Sequence, residues 1–180
     1  VSLPTLRTLA RAEGTDHAFA RYLYQQDVRC LRLAAFHIAD PALLTPSEFA
    51  FWGDGLLNSE MAEEVAFALL SRSESLPALF EAWTTPDASR LRQYAALMAA
   101  ARAPHPSPEW IASAAEAVRR AAPDDAAAAR LLAQGAVALL VVVGALNDEN
   151  RQAVLRAAGS LGKLPAEDYV HEELAWRLEA

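Results

Sequence analysis

Apolar residues recur at spacings of three and four along most of the chain, and glycine and proline separate one such stretch from the next. This period is typical of helices that bury one face. The pattern predicts an all-α fold, a single-domain helical bundle of about 8–10 helices. The predicted helices cover, with approximate ends, 4–12, 16–39, 46–57, 59–73, 76–83, 86–102, 108–122, a stretch beginning at 123, 148–159 and 165–178.

The most clearly marked helix start is at Thr45-Pro46-Ser47-Glu48. Threonine at the N-cap, proline at the first helical position and glutamate two residues later form the pattern of a capping box. We therefore expect the Glu48 side chain to reach back to the amide of Thr45.

Residues 131–146 are apolar on every side of a helix apart from Gln134. A membrane span needs roughly 17 to 25 residues, so this segment is short for one, and no membrane association is expected. We expect a central helix that is covered on all sides, either by the other helices or by a second subunit.

Prolines crowd together at Pro104, Pro106 and Pro108, which makes residues 103–107 the candidate linker. The chain is predicted to form one domain over residues 1–180. The alternative is a two-part organisation, in which the linker joins residues 1–102 to residues 108–180.

Composition and charge narrow the function classes. The 180 residues are 53% hydrophobic and 22% charged, which excludes a disordered chain. The single cysteine, Cys30, excludes an internal disulfide, and no export signal is visible, so a cytoplasmic protein is expected. The net charge of −7 argues against nucleic acid as a partner, because such binding rests on basic residues.

The negative charge is concentrated in residues 40–89, which contain one arginine and nine acids. Such an acidic face would attract a basic protein partner, and Glu60, Glu63, Glu64 and Trp83 are the candidate contact residues. The alternative is a solvated surface that keeps an alanine-rich protein soluble.

A metal site is the first chemical candidate. Glu60 and Glu64 lie at helical spacing, and Asp168 precedes His171 by three residues, as in bundles that hold metals with Glu and Glu-x-x-His sets. Such sites use the acid-x-x-His pair twice, and here it occurs once. The acids also suit a helix N-terminus for electrostatic reasons alone.

A ligand pocket on the predicted long helix is the second candidate. Asp27, Cys30 and His37 fall on one stripe of it, but Cys30 and His37 would be about 10 Å apart, too far to share one metal. The alternative is structural, with Cys30 in the core and the other two side chains paired locally.

Neither a nucleophile elbow nor a phosphate-binding glycine pattern is present. The basic pairs Arg90/Arg92 and Arg119/Arg120 lack the interleaved aromatic residues of a nucleic-acid surface. The sequence thus favours a non-enzymatic cytoplasmic protein that acts through protein–protein contacts, as a homo-oligomer. The alternative is a metal- or haem-binding helical-bundle enzyme or a small-ligand-binding protein.

Overall fold

Helices form all the regular structure of the described residues, as the sequence predicts. A computed structural model describes residues 1–179, and within that range it contains eleven α-helices and no strand. The predicted all-α fold is confirmed. The helices are α1 (Leu3–Glu13), α2 (His17–Tyr24), α3 (Arg29–Ile38), α4 (Phe49–Asp54), α5 (Ser59–Ala68), α6 (Leu76–Trp83), α7 (Arg90–Ala101), α8 (Ile111–Ala121), α9 (Ala126–Gly144), α10 (Asp148–Gly159) and α11 (Pro165–Leu178). Short 3-10 turns at Pro41–Leu43, Pro46–Glu48, Leu70–Arg72 and Pro108–Trp110 occur between them.

The odd-numbered helices lie side by side in one layer and run in the same direction. Arg29, in the first turn of α3, donates hydrogen bonds to Glu60 in the first turn of α5. At the other end, the Arg102 guanidinium lies 3.8 Å from the centroid of the Phe67 ring, which joins the ends of α7 and α5. The even-numbered helices return the chain between them, so the fold is a row of antiparallel helix pairs.

Helix α9 is the centre of the C-terminal half. It packs against α7, α8, α10 and α11, and Gly135 allows α7 to approach closely, since a Cβ there would lie 3.2 Å from that of Leu97. The predicted central helix is confirmed, but its cover is incomplete. Half-buried Leu131, Ala138, Val141 and Val142 and exposed Gln134 mark one open stripe. Length and composition alone would let α9 cross a membrane, and half of its most apolar stretch is buried within the protein.

The predicted single helix over 16–39 is wrong, because the chain reverses between α2 and α3. In one straight helix, the twelve positions between Tyr24 and Phe36 would separate these residues by about 18 Å. The reversal brings their ring centroids to 5.2 Å and places both rings against Trp52 of α4. Burying three aromatic rings together outweighs the continuation of one helix.

The predicted capping box at residues 45–48 is also wrong. The Thr45 hydroxyl contacts that of Ser47 at 2.9 Å, and the Glu48 carboxylate accepts hydrogen bonds from His17 and Arg21 instead of the Thr45 amide. The guanidinium of Arg21 and the imidazole of His17, both on α2, compete successfully with a backbone amide for this carboxylate. Residues 46–48 accordingly form a 3-10 turn, and α4 begins at Phe49.

Two other predicted helix starts shift by three or four residues. Helix α7 begins at Arg90 with Ser89 as its N-cap, and α9 begins at Ala126 with Asp125 as its N-cap. The prolines at 86 and 123 therefore precede these helices rather than open them. Residues 103–107 connect α7 to the turn before α8, and their role as a linker stays a prediction.

Candidate functional site

The predicted partner-surface residues do not form a free acidic face. Glu60 is paired with Arg29, Glu63 accepts a hydrogen bond from the Tyr94 hydroxyl, and Glu64 is buried. Trp83 is buried as well, with 4% of its surface exposed. The three acids of α5 thus hold this helix to its neighbours.

Glu64 is the most strongly held of these carboxylates. It accepts two hydrogen bonds from the Arg7 guanidinium, and His37 lies 3.2 Å from one of its oxygens. Burial raises the pKa of Glu64, but the hydrogen bonds to His37 and Arg7 outweigh burial and lower this pKa to about 2. Glu64 is therefore ionised at every physiological pH, and the same contact raises the pKa of Arg7.

The predicted metal ligands are not brought together. Glu60 and Glu64 lie on α5, and α7 and α9 separate this helix from Asp168 and His171 on α11. A ring nitrogen of His171 contacts the carbonyl of Gly162 at 3.2 Å, and Asp168 is exposed. Residues 1–179 contain no group of three or more histidine, cysteine, aspartate or glutamate side chains arranged to hold a metal ion.

The three residues of the predicted ligand pocket also separate. Asp27 lies in the turn between α2 and α3, its side chain fully exposed and 4.0 Å from that of Arg32. Cys30 packs half-buried against the core, and His37 faces Glu64. Of these residues, His37 alone lines a cleft of the described structure large enough for a ligand group.

That cleft is lined by four arginines, of which one is paired with Glu64. It lies at the C-terminal ends of α1, α3, α5 and α7 and has a volume of about 430 Å³. We call it the arginine cleft. Its lining residues are Arg7, Arg11, His37, Glu64, Phe67, Ala68, Arg72 and Arg102.

Local structure explains why arginines occupy these positions. Cations are stabilised near helix C-termini, where backbone carbonyls lack partners. Arg72 donates to the carbonyl of Ala68 at the end of α5, and Arg11 lies in the last turn of α1. Arg102 at the end of α7 rests on the Phe67 ring, which holds its guanidinium plane in place.

Three of the four arginines keep their charge available. Arg7 is paired with Glu64, whereas Arg11, Arg72 and Arg102 form no ion pair with any carboxylate in the described part of the chain. A guanidinium presents a planar set of donors that matches the oxygens of a phosphate or carboxylate. The arginine cleft is therefore built to receive an anion with several oxygens.

The two basic pairs noted in the sequence are occupied by internal contacts. Arg90 pairs with Asp124, Arg92 with Asp54 and Arg119 with Glu116, while Arg120 donates to the carbonyl of Thr84. The residues that do form a cationic site are spread from position 7 to position 102. No local pattern marks them, because only the stacking of α1, α5 and α7 brings them together.

Comparison with known proteins yields one informative likeness. No family model matches the chain, and no curated protein matches it. A solved structure matches 99% of this chain and 82% of its own, with a TM-score of 0.72 and 18% sequence identity. It is described as one of a new family of proteins related to the HEAT-like repeat DNA glycosylases, with affinity for branched DNA structures. The fold of this chain is thus a HEAT-like helical repeat.

The prediction that nucleic acid is an unlikely partner is contradicted by this likeness, because the same fold occurs in a protein described as having affinity for branched DNA. The prediction rested on the net charge of −7, which is a sum over the whole surface. Many of the acids in that sum are paired with arginines, as Glu60 and Glu64 are, and the arginine cleft remains cationic.

Proposed function

We propose that this protein binds branched DNA and that Arg11, Arg72 and Arg102 of the arginine cleft hold its phosphates. The observation that carries the proposal is the convergence of three unpaired guanidinium groups on one cleft. The likeness to a protein with affinity for branched DNA supports the choice of anion.

The electrostatics of the cleft favour a chain of phosphates over a single small anion. The three arginines come from the end of α1, from the turn after α5 and from the end of α7, so they are spread along one end of the odd-numbered layer, with α3 between α1 and α5. Neighbouring helix axes are roughly 8–10 Å apart, so cations spread over four helices reach more than one phosphate of a polyanionic backbone. Each phosphate contact releases counterions, so we expect affinity to fall as salt increases.

The proposed role is one of binding without catalysis. Phosphate contacts position DNA but carry out no chemistry. The non-enzymatic character, the cytoplasmic location and the homo-oligomeric state remain predictions. The metal- or haem-binding alternative also stays a prediction, and the described residues contain no group of three or more metal-ligating side chains.

Fluorescence anisotropy tests the proposal with a labelled four-way junction, a fork and a duplex of equal length. We expect the wild-type protein to bind the branched molecules, and Arg72→Ala and Arg102→Ala each to weaken that binding about tenfold. Both positions are exposed, so these variants should fold normally.

Arg156→Ala is the matched control. Arg156 is an exposed arginine of α10, outside the cleft, and it forms no ion pair within the described residues. This variant should bind like the wild type. Absence of DNA binding by the wild type at low salt, or an equal loss in all three variants, would refute the proposal.

A further inference from the structure

The front face of the protein is the side of the odd-numbered layer that points away from the even-numbered helices. On α9 this face carries the open stripe, along which Arg130, Gln134, Ala138 and Val141 follow one another at helical spacing. Helices α8 and α10 cover the opposite side of α9, and α7 and α11 flank it. Within residues 1–179, this stripe is only partly covered, with Ala138 and Val141 half-buried and Gln134 exposed.

Trp176 of α11 is the most exposed large ring on the described chain, with 72% of its surface accessible. The other three tryptophans, Trp52, Trp83 and Trp110, are buried at 9% exposure or less. An indole that stays in water does not contribute its large apolar surface to the stability of the fold. Exposed tryptophan is typical of the centres of binding surfaces.

The neighbouring contacts place Trp176 on the front face. Tyr169 precedes it by seven residues, almost two full turns, so both side chains lie on one stripe of α11. The Arg130 guanidinium of the α9 stripe lies 4.0 Å from the centroid of the Tyr169 ring. The stripe that contains Trp176 therefore borders the open stripe of α9.

Trp176 also lies level with the apolar end of that stripe. Pro165 and Ala166 at the start of α11 line the same cavity as Ala126 and Ala129 at the start of α9. At the other end, a Cβ on Gly144 would lie 2.8 Å from the Leu178 side chain. The two helices run parallel, so Trp176 is level with Val141 and Val142 near their ends.

We infer that Trp176 is a platform on which an unpaired base of the DNA stacks. This inference rests on the proposed function, because it uses the arginine cleft to hold the phosphates of the same DNA. Two helix spacings separate α7, which carries Arg102, from α11, or roughly 16–20 Å. That distance corresponds to about five base steps at 3.4 Å each.

The groups around Trp176 are one carboxylate and one ion pair. Glu172 lies one turn before Trp176 on the same side of α11, and Glu173 is paired with Arg177, whose guanidinium lies 5.9 Å from the centroid of the Trp176 ring. The ring rather than a cluster of cations is therefore the feature that would contact DNA, and the flat face of a base stacks on an indole irrespective of sequence. Bases of an intact duplex are already stacked on each other, so the platform favours forks and junctions with unpaired positions over duplex.

Tryptophan fluorescence tests this inference, because Trp176 is the tryptophan that both acrylamide and a base can reach. We expect a fork with single-stranded arms to quench the emission and to protect it from acrylamide, and a duplex of equal length to do neither. Trp176→Ala should weaken fork binding about tenfold or more and leave duplex binding unchanged. Trp176→Phe keeps a stacking ring and should retain most of the fork affinity.

The possible failures of the two proposals are distinct. If the wild type binds no DNA, the proposed function fails and the platform fails with it. If the wild type binds forks through the arginine cleft while Trp176→Ala binds them equally well, the platform alone is refuted. Light scattering measures whether the protein is a dimer. If the wild type is a dimer and Trp176→Ala is a monomer, a second copy of the chain covers this ring, and the inference is overturned.

Discussion

Arg7 of α1 and Glu64 of α5 are 57 positions apart in sequence and are joined by two hydrogen bonds of 2.8 and 3.1 Å. His37 of α3 approaches the same carboxylate at 3.2 Å, so one buried side chain connects three helices of the odd-numbered layer. The contact also sets the charge of the arginine cleft. It commits Arg7 to an internal partner, whereas Arg11, Arg72 and Arg102 form no ion pair with a carboxylate among the described residues.

We expect Glu64→Gln to lower the free energy of unfolding by about 2–3 kcal/mol, because it removes charge-assisted hydrogen bonds at a buried position. Urea denaturation measures this loss. Glu60→Gln is the matched control on the same helix. Glu60 and its partner Arg29 are both more than one-third exposed. The Glu60→Gln variant should therefore lose about 0–1 kcal/mol of the free energy of unfolding. Equal losses in the two variants would contradict the special role of Glu64.

The same carboxylate predicts how stability depends on pH. The pKa of Glu64 is about 2 in the folded protein against an ordinary value of 4.5. A lowered folded pKa means that the stabilisation is fully present above pH 4.5 and is lost as the pH falls from 4.5 towards 2. Free energies of unfolding measured between pH 7 and pH 2.5 should therefore decline less steeply for Glu64→Gln than for the wild type. Identical slopes would show that other groups dominate acid unfolding.

Glycines provide a test of packing in the aromatic cluster around Tyr24. A Cβ on Gly55 would lie 2.4 Å from the ring of Tyr24, whose hydroxyl is held by the Trp52 carbonyl at 2.6 Å. Because the ring cannot move away freely, Gly55→Ala should destabilise the protein by about 1–3 kcal/mol. Gly159→Ala, at the end of α10 with nothing within 4 Å, should instead stabilise it by about 0.4–1 kcal/mol. Thermal unfolding should show shifts of Tm in opposite directions.

Features that depend on neighbours in sequence could be predicted from the sequence. Helix α6 occupies the predicted residues Leu76–Trp83, and α10 occupies the predicted residues 148–159, with the side chain of Asn147 before it accepting from the amide of Asn150. The helical period and the caps are local properties, because each involves residues three or four positions apart.

Features that depend on stacking could not be predicted in this way. The reversal between α2 and α3 contains no glycine or proline, and it exists because Tyr24 and Phe36 pack on Trp52. Arg72 and Arg102 look unremarkable in sequence, and only the parallel order of α5 and α7 brings them to one cleft. The net charge led to a wrong prediction about nucleic acid for the same reason, because a sum of charges does not show that Glu64 is paired with Arg7.

Salt dependence separates the two parts of the proposed DNA surface. Each phosphate neutralised by an arginine contributes about −0.9 to the slope of log affinity against log salt concentration on B-form DNA. Three arginines in the cleft therefore predict a slope near −3, and Arg72→Ala or Arg102→Ala should reduce its magnitude by about one. Trp176→Ala should weaken fork binding with an unchanged slope, because stacking of a base displaces no counterions. Fluorescence anisotropy titrations at four salt concentrations measure all of these slopes. A smaller slope in Trp176→Ala would mean that this residue aligns the backbone rather than receiving a base.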